Sequence, residues 1–285
     1  MSTPIPSIVR GAEPIMFDGA RALALLESQV AMGPRCPGSP GHRRARGWLL
    51  EQLAAAGARD ITVDDFAGDC AGVPVPLSNI AADLGPRGDA PVLLAAHWDT
   101  RPWADRDPDP ARRNEPIPGA NDGASGVAVV LEVARVARPA VPVRVVLFDG
   151  EDLGRDHVGY SQGARRFAGR LRGVLPRWGL LLDMVGDAVL EIPREAYSER
   201  HAGEIVRKVW DAARALGHEA VFVDRPGPGI KDDHLALIEA GVPMVDLIDF
   251  DYPWWHTLGD TPDRCSAASL EAVGRVVTAT LESEC

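Results

Sequence analysis

Residues 123–149, GASGVAVVLEVARVARPAVPVRVVLFD, decide the fold because they join an apolar helix to an apolar strand. The spacing of apolar residues over 123–138 is helical, whereas VPVRVVLFD (141–149) is a run of strand length. A similar apolar run, PVLLAAH (91–97), precedes the helix. Continuously apolar strands that alternate with helices are typical of parallel strands with both faces covered. The sequence therefore predicts an α/β fold around a mostly parallel sheet.

The same alternation of strands and helices extends along the rest of the chain. Asp18 is predicted to cap a helix over 19–31, and Ser39 with Pro40 to begin a second helix that ends at Gly57. The other predicted elements are strands at 61–66, 77–84, 178–185, 219–224 and 243–249, a short helix that ends near 170, and helices at 200–216, 233–241 and 266–281. We expect one domain over residues 1–285, with the helices of about 18–57 packed on the sheet.

Composition excludes several classes of protein. A net charge of −11 and a pI near 5.1 disfavour a nucleic-acid partner, because the phosphate backbone would be repelled. The apolar runs are far shorter than the roughly 20 residues of a membrane-spanning helix. Four scattered cysteines (Cys36, Cys70, Cys265 and Cys285) form neither a zinc cluster nor a disulfide framework. The start, MSTPIPSIVR, lacks the pattern of a secretory signal, so we expect a cytoplasmic protein, and the oligomeric state is left open.

Metal-ligand residue types follow the predicted strands at corresponding places. The segments are HWD (97–99), FDGED (148–152), LLDMVGD (181–187) and LIDFDYPWWHT (247–257), with GAND (119–122) and DDH (232–234) at helix starts. Ligands of open α/β sheets gather outside the carboxyl ends of the strands. One imidazole and two carboxylates leave zinc an open fourth position, as a catalytic zinc requires. The long irregular stretch 98–120 is also expected to be functional.

An ordered set of motifs carries a family resemblance. The motifs are GPRCPGSPGH (33–42), LSNI (77–80), HWDT (97–100), GANDGASG (119–126), FDGED (148–152), LLDMVG (181–186), DDH (232–234), GVP (241–243) and WHT (255–257). Over about residues 28–281 the chain resembles zinc-dependent aminopeptidases and their relatives, the animal-type glutaminyl-peptide cyclotransferases (glutaminyl cyclases). The resemblance implies a single α/β domain with a central mixed, mainly parallel sheet and helices on both faces.

The resemblance also implies roles for individual residues. The implied ligands of the zinc that both branches share are Asp122, Asp152 and His256. Glu151 resembles the general acid/base, and His97 and Asp183 occupy the positions that hold a second zinc in two-metal aminopeptidases. The family commonly has Glu at the position of Asp152, and the shorter side chain would require a small backbone adjustment.

Two features favour the cyclase branch, which acts on the N-termini of peptides and proteins with one zinc ion. The tripeptide DDH begins with Asp232, where peptidases usually have Ser, and Asp232 is expected to join Glu151 and Asp183 in a hydrogen-bonded cluster that shares a proton. Trp255 precedes His256 and is expected to form one wall of a pocket for a glutamine side chain. The implied reaction converts N-terminal glutamine to pyroglutamate and releases ammonia, with Glu151, Asp183 and Asp232 as catalytic residues.

Two alternatives use the same residues differently. If His97 and Asp183 hold a second zinc, the chain is an aminopeptidase that hydrolyses the first peptide bond. The loop LGRDHVGYSQG (153–163) has no tryptophan where cyclases carry one, and Trp103 in the loop 101–116 is expected to replace it. A third hypothesis is a binding module without catalytic activity. Such a module would be expected to have lost metal ligands, and none is lost here.

Other polar residues receive supporting or solvated assignments. Asp99 is expected to orient His97 or a neighbour of the metal site, and His234 to support the site through a hydrogen bond. Trp254 is expected to be a packing residue. The residues predicted to lie on solvated surfaces or loops are His42, His157, His201, His218, Arg101, Arg112 and Arg113.

Overall fold

A six-stranded mixed sheet organises the chain, whose computed structural model describes residues 16–155 and 158–284. The elements within these ranges are, in chain order, α1 (Gly19–Ala31), α2 (Pro40–Ala55), β1 (Arg59–Cys70), β2 (Val73–Leu84), β3 (Val92–His97), α3 (Ala124–Val136), β4 (Val143–Phe148), α4 (Gln162–Arg170), β5 (Gly179–Asp183), β6 (Ile192–Arg194), α5 (Ala196–Ala215), β7 (Phe222–Pro226), α6 (Asp233–Glu239), β8 (Met244–Ile248) and α7 (Ala267–Glu282). The amino-terminal segment used to predict the compartment, Cys285 and His157 lie outside the described residues.

The strand order of the sheet is β1-β2-β4-β3-β5-β8. Strands β4, β3, β5 and β8 are mutually parallel, and β1 and β2 add an antiparallel hairpin at one edge. This confirms the predicted mixed, mainly parallel sheet. The hairpin strands are longer than predicted, because their mutual backbone pairing continues past the apolar residues to Cys70 and Val73.

Alternate residues of the central strands face two different helix layers. Leu94 and Ala96 of β3 pack in the larger core with α1, α2, α3, α5 and α7, whereas Leu93 and Ala95 face a smaller core with α4 and α6. All four of these side chains are fully buried. Helices therefore cover both faces, as the continuously apolar strands predicted.

The order of the strands places a crevice at the end of β3. The connection that follows β3 leads to β4 on one side, whereas the chain that follows the neighbouring β5 leads toward β8 on the other side, so these two connections leave in opposite directions. Ligand sites of open α/β sheets form at such switch points.

None of the helices in the described part of the chain is long and apolar enough to cross a membrane.

Local hydrogen bonds explain where the helices begin. The carboxylate of Asp18 accepts from the backbone N–H of Arg21, and the Ser39 hydroxyl accepts from that of His42, so both predicted caps are confirmed. Helix α5 begins earlier than predicted because the Glu195 side chain caps its first turn. The short parallel pair β6–β7 was not predicted, because β6 has only three residues.

The cap of α5 links stability to pH. Burial raises the pKa of Glu195, but the nearby His234 and the backbone N–H groups of Tyr197, Ser198 and Ile230 outweigh it and lower the pKa to about 2. A carboxyl with a lowered folded-state pKa stabilises the fold above its unfolded pKa near 4.5, and this contribution is lost as the pH falls toward 2.

We expect Glu195→Gln to lower the free energy of unfolding by about 3 kcal/mol at pH 7, because the amide cannot replace the charged acceptor. The deficit should narrow as the pH falls below about 4.5. Urea unfolding of the wild type and the variant at several pH values measures this difference in the free energy of unfolding. The matched control is Glu199→Gln in the same helix, which removes a half-exposed carboxylate that pairs with Arg194. Equal deficits at pH 7 and pH 3.5 would contradict the linkage.

Candidate active site

The segments that follow the parallel strands converge on one cleft of about 530 Å³. His97 and Asp183 end β3 and β5, Glu151 and Asp152 follow β4, and His256 follows β8. The predicted site residues that line the cleft are Asp122, Glu151, Asp152, Asp183, Asp232, Trp255 and His256. His97 lies just beneath the cleft surface and is 1% exposed. The structure thus brings together all the predicted ligands and acids.

Asp122, Asp152 and His256 form a buried group of ligand atoms that fits a metal ion. His256 Nε2 lies 3.3 Å from Asp152 Oδ1 and 3.7 Å from Asp122 Oδ2. Among the described residues, neither Asp122 Oδ2 nor Asp152 Oδ2 has a hydrogen-bond partner, although both atoms are buried. Buried carboxylate oxygens without donors are costly unless a cation compensates them, and oxygen and imidazole ligands suit zinc.

A second group shares Asp122 with the first. His97 Nε2 lies 3.1 Å from Asp183 Oδ1 and 3.3 Å from Asp122 Oδ1. Asp122 therefore offers one carboxylate oxygen to each group, which is the arrangement of a carboxylate that bridges two ions. The same contacts also satisfy a single-metal site, because the imidazole of His97 then hydrogen-bonds Asp183.

Two buried carboxylates hold the turns that carry the ligands. Asp260 accepts hydrogen bonds from the backbone N–H groups of Asn121 (2.8 Å) and Asp122 (3.2 Å). Asp99 accepts from the N–H groups of Glu151 (3.1 Å) and Asp152 (3.2 Å). Asp99 also lies 3.6 Å from His97 Nδ1, so it faces His97 as predicted but is hydrogen-bonded to the other turn. Sequence reasoning missed Asp260, since no pattern near it indicated a contact with Asp122.

Arg101 is a buried part of the metal centre, not the solvated loop charge that was predicted. It is 1% exposed, and its Nη1 donates to Asp152 Oδ1 at 3.0 Å. Its Nε donates to Asp105 Oδ1 at 2.7 Å, and the same oxygen lies 3.3 Å from His256 Nδ1. One guanidinium group therefore connects two implied ligands, Asp152 directly and His256 through Asp105. The prediction was wrong because the partners of Arg101 are brought to it by other strands.

Two carboxyl groups in the cleft, those of Glu151 and Asp232, have raised pKa values. Burial raises the pKa of Glu151 well above its ordinary value, and the neighbouring Asp232 and Asp152 raise it further. Burial likewise raises the pKa of Asp232, and Asp183 and Asp233 add to the effect. The predicted hydrogen bonds among Glu151, Asp183 and Asp232 do not occur between these described residues. Asp183 is hydrogen-bonded to His97 instead. Burial and the neighbouring negative charges therefore favour the protonated forms of Glu151 and Asp232.

Trp255 lies against the metal centre and lines the cleft. Its ring stacks on His256 with centroids 3.9 Å apart and an interplanar angle of 30°. Phe250 packs against its other side at 4.9 Å and lines the same cleft. The two rings form an apolar wall beside the implied zinc ligand.

The other tryptophans lie elsewhere. Trp103 is not among the residues that line the cleft, although it was expected to replace the missing tryptophan. Its ring lies between the guanidinium groups of Arg101 (5.3 Å) and Arg155 (4.5 Å), which hold it in the loop packing. The aromatic residue from the loop after β4 that does line the cleft is Tyr160. Trp254 is 36% exposed and stacks under Arg264 at 4.1 Å.

The backbone around the site includes several left-handed residues. His256 has φ +56° and Met184, which follows Asp183, has φ +46°. Non-glycine residues in this region are uncommon and cluster at functional sites. Gly123 has φ +90°, and a Cβ there would lie 2.8 Å from the carbonyl oxygen of Asp99. Only glycine therefore lets this turn approach the end of β3 so closely.

Two further histidines are buried, and one of them, His234, belongs to a third group of ligand-type residues with Asp232 and Asp246. His42 was predicted to lie on the surface, but its Nε2 is 2.9 Å from Asp149 Oδ2 and its ring stacks on Trp98 at 4.3 Å. That prediction was wrong because the partners lie on the sheet, distant in sequence. His234 places its ring nitrogens 3.4 Å from Glu195 and 3.4 Å from Asp246, next to the cleft residue Asp232.

A second groove of about 590 Å³ lies on the sheet face beside α4 and is not a competing site. Its lining residues include no histidine or cysteine. Several of its charged residues pair with one another, as Arg144 does with Asp83 (2.8 Å) and Arg170 with Asp64 (3.2 Å). Such paired charges offer little to a ligand.

Comparison with known proteins identifies relatives that share this architecture. The sequence matches the model of peptidase family M28 over residues 79–281. The solved structure of Bacteroides thetaiotaomicron glutaminyl cyclase bound to N-acetylhistamine has a TM-score of 0.91 and 34% identity, and the match covers 96% of this chain and 100% of that chain. A leucine aminopeptidase precursor from the same organism gives a TM-score of 0.91 and 34% identity over 96% of this chain and 99% of that chain. Glutaminyl-peptide cyclotransferase of Bos taurus is 24% identical over 85% of this chain and 76% of its own length.

We expect Arg101→Gln to weaken zinc binding at least tenfold, because residues that orient metal ligands typically contribute 10- to 100-fold in affinity. Competition with a chelator measures the affinity, and circular dichroism checks that the variant is folded. Arg112→Gln is the control, since Arg112 lies in the same loop and pairs with Glu115 on the surface. A folded Arg101→Gln variant with zinc affinity within twofold of the wild type would show that the guanidinium does not position the ligands.

Proposed function

The chain belongs to peptidase family M28, and from that premise we propose that it is a zinc-dependent glutaminyl-peptide cyclotransferase with one zinc ion. It converts an N-terminal glutamine of a peptide to pyroglutamate and releases ammonia. The observation that carries the proposal is the pair of buried carboxyls, Glu151 and Asp232, with raised pKa values in a cleft walled by Trp255. The relatives named glutaminyl cyclase support the same assignment.

The reaction is an intramolecular aminolysis. The α-amine of the glutamine attacks its own γ-carboxamide carbon, a C–N bond forms, and the bond to the amide nitrogen breaks. Zinc held by Asp122, Asp152 and His256 would supply Lewis acidity toward the γ-carbonyl oxygen. Because the amine is part of the substrate, no water nucleophile is needed.

Glu151 is placed to move the proton that this reaction must transfer. A raised pKa brings a carboxyl closer to the pH at which the enzyme operates, which favours both steps of general acid–base catalysis. In its ionised form Glu151 takes the proton from the attacking amine, and it returns that proton to the departing ammonia. The low exposure of Glu151, 9%, restricts competing exchange with bulk water.

Asp232 and Asp183 orient the nitrogen atoms of the substrate. Asp183 is fixed by its contact with His97 (3.1 Å), so it presents its carboxylate in one direction. Asp232 caps the start of α6 and also lines the cleft. Burial raises the pKa of Asp232, whose carboxyl donates a hydrogen bond when it is protonated, and the oxygens of Asp183 accept hydrogen bonds in the same cleft.

Trp255 supplies the apolar surface that a glutamine side chain needs. The methylene groups of glutamine pack against the apolar wall that Trp255 and Phe250 form, and the amide then points toward the metal ligands. Since Trp255 stacks directly on His256, the wall and the metal group keep a fixed spacing. A bound glutamine is thereby oriented with its carboxamide at the ligands.

One observation favours a second candidate, a two-zinc aminopeptidase. The group formed by His97, Asp122 and Asp183 has its ligand atoms within 4.8 Å of one another and shares Asp122 with the first group. With two ions bound there, Glu151 would serve as the base for hydrolysis of the first peptide bond. The relative named as a leucine aminopeptidase precursor supports this alternative.

Incubation with two peptides separates the candidates. We expect the zinc-loaded enzyme to remove ammonia from a Gln-initiated peptide and to leave a Leu-initiated peptide intact, as measured by mass spectrometry. A chelator should abolish the reaction, and metal analysis of the same sample should give one zinc per chain. Release of free leucine, with two zinc ions per chain, would instead establish the aminopeptidase.

Replacing Asp232 tests the acid pair directly. We expect Asp232→Ser to lower kcat for cyclisation by about 100-fold or more, because a positioned acid–base group contributes 10²- to 10⁴-fold. The control is Asp211→Ser on the exposed face of α5, where Asp211 pairs with Arg214. A cyclisation rate within twofold of the wild type would remove Asp232 from the mechanism.

A further inference from the structure

The mouth of the cleft carries cationic side chains that the protein itself leaves free. Arg106, Arg165 and Lys231 line the cleft and are exposed. Within the described ranges, the side chains of Arg165 and Lys231 make no hydrogen bond or ion pair. The guanidinium of Arg106 lies over the ring of Trp255 at 5.2 Å. Other cations near the site are paired, such as Arg101 with Asp105 and Asp152.

Each of these cations is tied through the backbone to a residue of the proposed mechanism. The N–H of Arg106 donates to the carbonyl of His256 at 3.1 Å. The N–H of Arg165 donates to the carbonyl of Ser161, whose own N–H donates to the carbonyl of Glu151. Lys231 immediately precedes Asp232. The three cations therefore come from three different segments, and the backbone at each of them is held close to a residue of the proposed mechanism.

The exposed residues at the mouth of the cleft carry more positive than negative charge, although the whole molecule has a net charge of −11. The floor of the cleft consists of carboxylates, and these attract the amino terminus of a peptide. Of the acidic residues nearer the surface, Asp105 is bonded to Arg101, and Glu239 at the end of α6 makes no ion pair. The mouth thus keeps three free cations against one free anion.

Resting on the proposed function, we propose that this mouth recognises carboxylate groups that follow the N-terminal glutamine of the substrate. A peptide whose amine lies among the floor acids must leave the cleft past Trp255, where Arg106 stacks. Its second and third residues then pass the free cations. The preferred substrates are Gln-peptides with Glu or Asp at these positions, or short peptides whose terminal carboxylate reaches the same place.

Each ion pair between a substrate carboxylate and a cation of the mouth contributes modestly to affinity, and these contributions add. An exposed ion pair typically changes affinity by about 1.4- to 5-fold, so two glutamates should give a preference of about tenfold over two glutamines. Because the pairs are solvent-exposed, the preference should fall at about 1 M salt, where the Debye length is about 3 Å. The preference should appear in KM more than in kcat.

The test measures both binding and turnover of amidated peptides that begin Gln-Glu-Glu, Gln-Gln-Gln or Gln-Lys-Lys. Calorimetry on zinc-loaded Glu151→Gln enzyme gives binding without turnover, and ammonia release by the enzyme with Glu151 intact gives KM and kcat. Both are repeated with the substitutions Arg106→Gln, Arg165→Gln and Lys231→Gln combined. The control is Arg200→Gln, an exposed arginine of α5 that does not line the cleft. Free-acid and amidated Gln-Ala distinguish a terminal carboxylate from an acidic side chain.

We expect the combined variant to bind the acidic and neutral peptides within about twofold of each other, while Arg200→Gln keeps the tenfold preference. An unchanged preference in the combined variant, or tighter binding of the Gln-Lys-Lys peptide by the wild type, would overturn the proposal. If no Gln-peptide releases ammonia but the acidic peptide still binds tighter, the cyclase assignment fails and the recognition of carboxylates stands.

Discussion

Buried carboxylates crowded at one end of the sheet are the constraint on which the rest of the structure depends. Asp122, Asp152, Asp183, Asp232 and Glu151 are each less than 10% exposed and line one cleft. An ionised group in such surroundings costs several kcal/mol unless charges or hydrogen bonds compensate it. The molecule meets this cost in three ways. Imidazoles and Arg101 lie against the metal-ligand carboxylates, raised pKa values favour the protonated forms of Glu151 and Asp232, and two buried oxygens without a hydrogen-bond partner among the described residues fit a zinc ion.

The parallel arrangement of β3, β4, β5 and β8 explains why the acids can meet at all. Residues that follow these strands leave the sheet at the same edge, although they are far apart along the chain. The turns they form are then fixed by carboxylates that accept hydrogen bonds from backbone N–H groups. Asp99 holds the turn at Glu151, and Asp260 holds the turn at Asn121. Rigid apolar strands on one side and hydrogen-bonded turns on the other define the positions of the ligands.

The position of Asp122 is compatible with both candidate activities. It faces both His256 and His97, so one carboxylate belongs to two groups that each fit an ion. The surrounding cleft favours the cyclase, because Asp232 adds a further carboxyl with a raised pKa and Trp255 adds an apolar wall. These residues match an N-terminal glutamine, whose amine and carboxamide both lie on one small side chain.

Sequence by itself determined the layers of the fold and the members of the metal groups. Apolar strands between amphipathic helices fixed the sheet, Asp18 and Ser39 fixed two helix starts, and the ordered motifs indicated Asp122, Asp152 and His256. Only the tertiary structure decided which polar groups touch them. Arg101 reaches Asp152 across 51 residues of sequence, and Asp260 reaches the N–H of Asp122 across 138. The predicted positions of Trp103 and His42 were wrong for the same reason, because each of them has a partner that is distant in sequence. Local patterns record periodicity and capping, whereas the partners of a buried charge depend on strand order, which brings distant segments to one edge of the sheet.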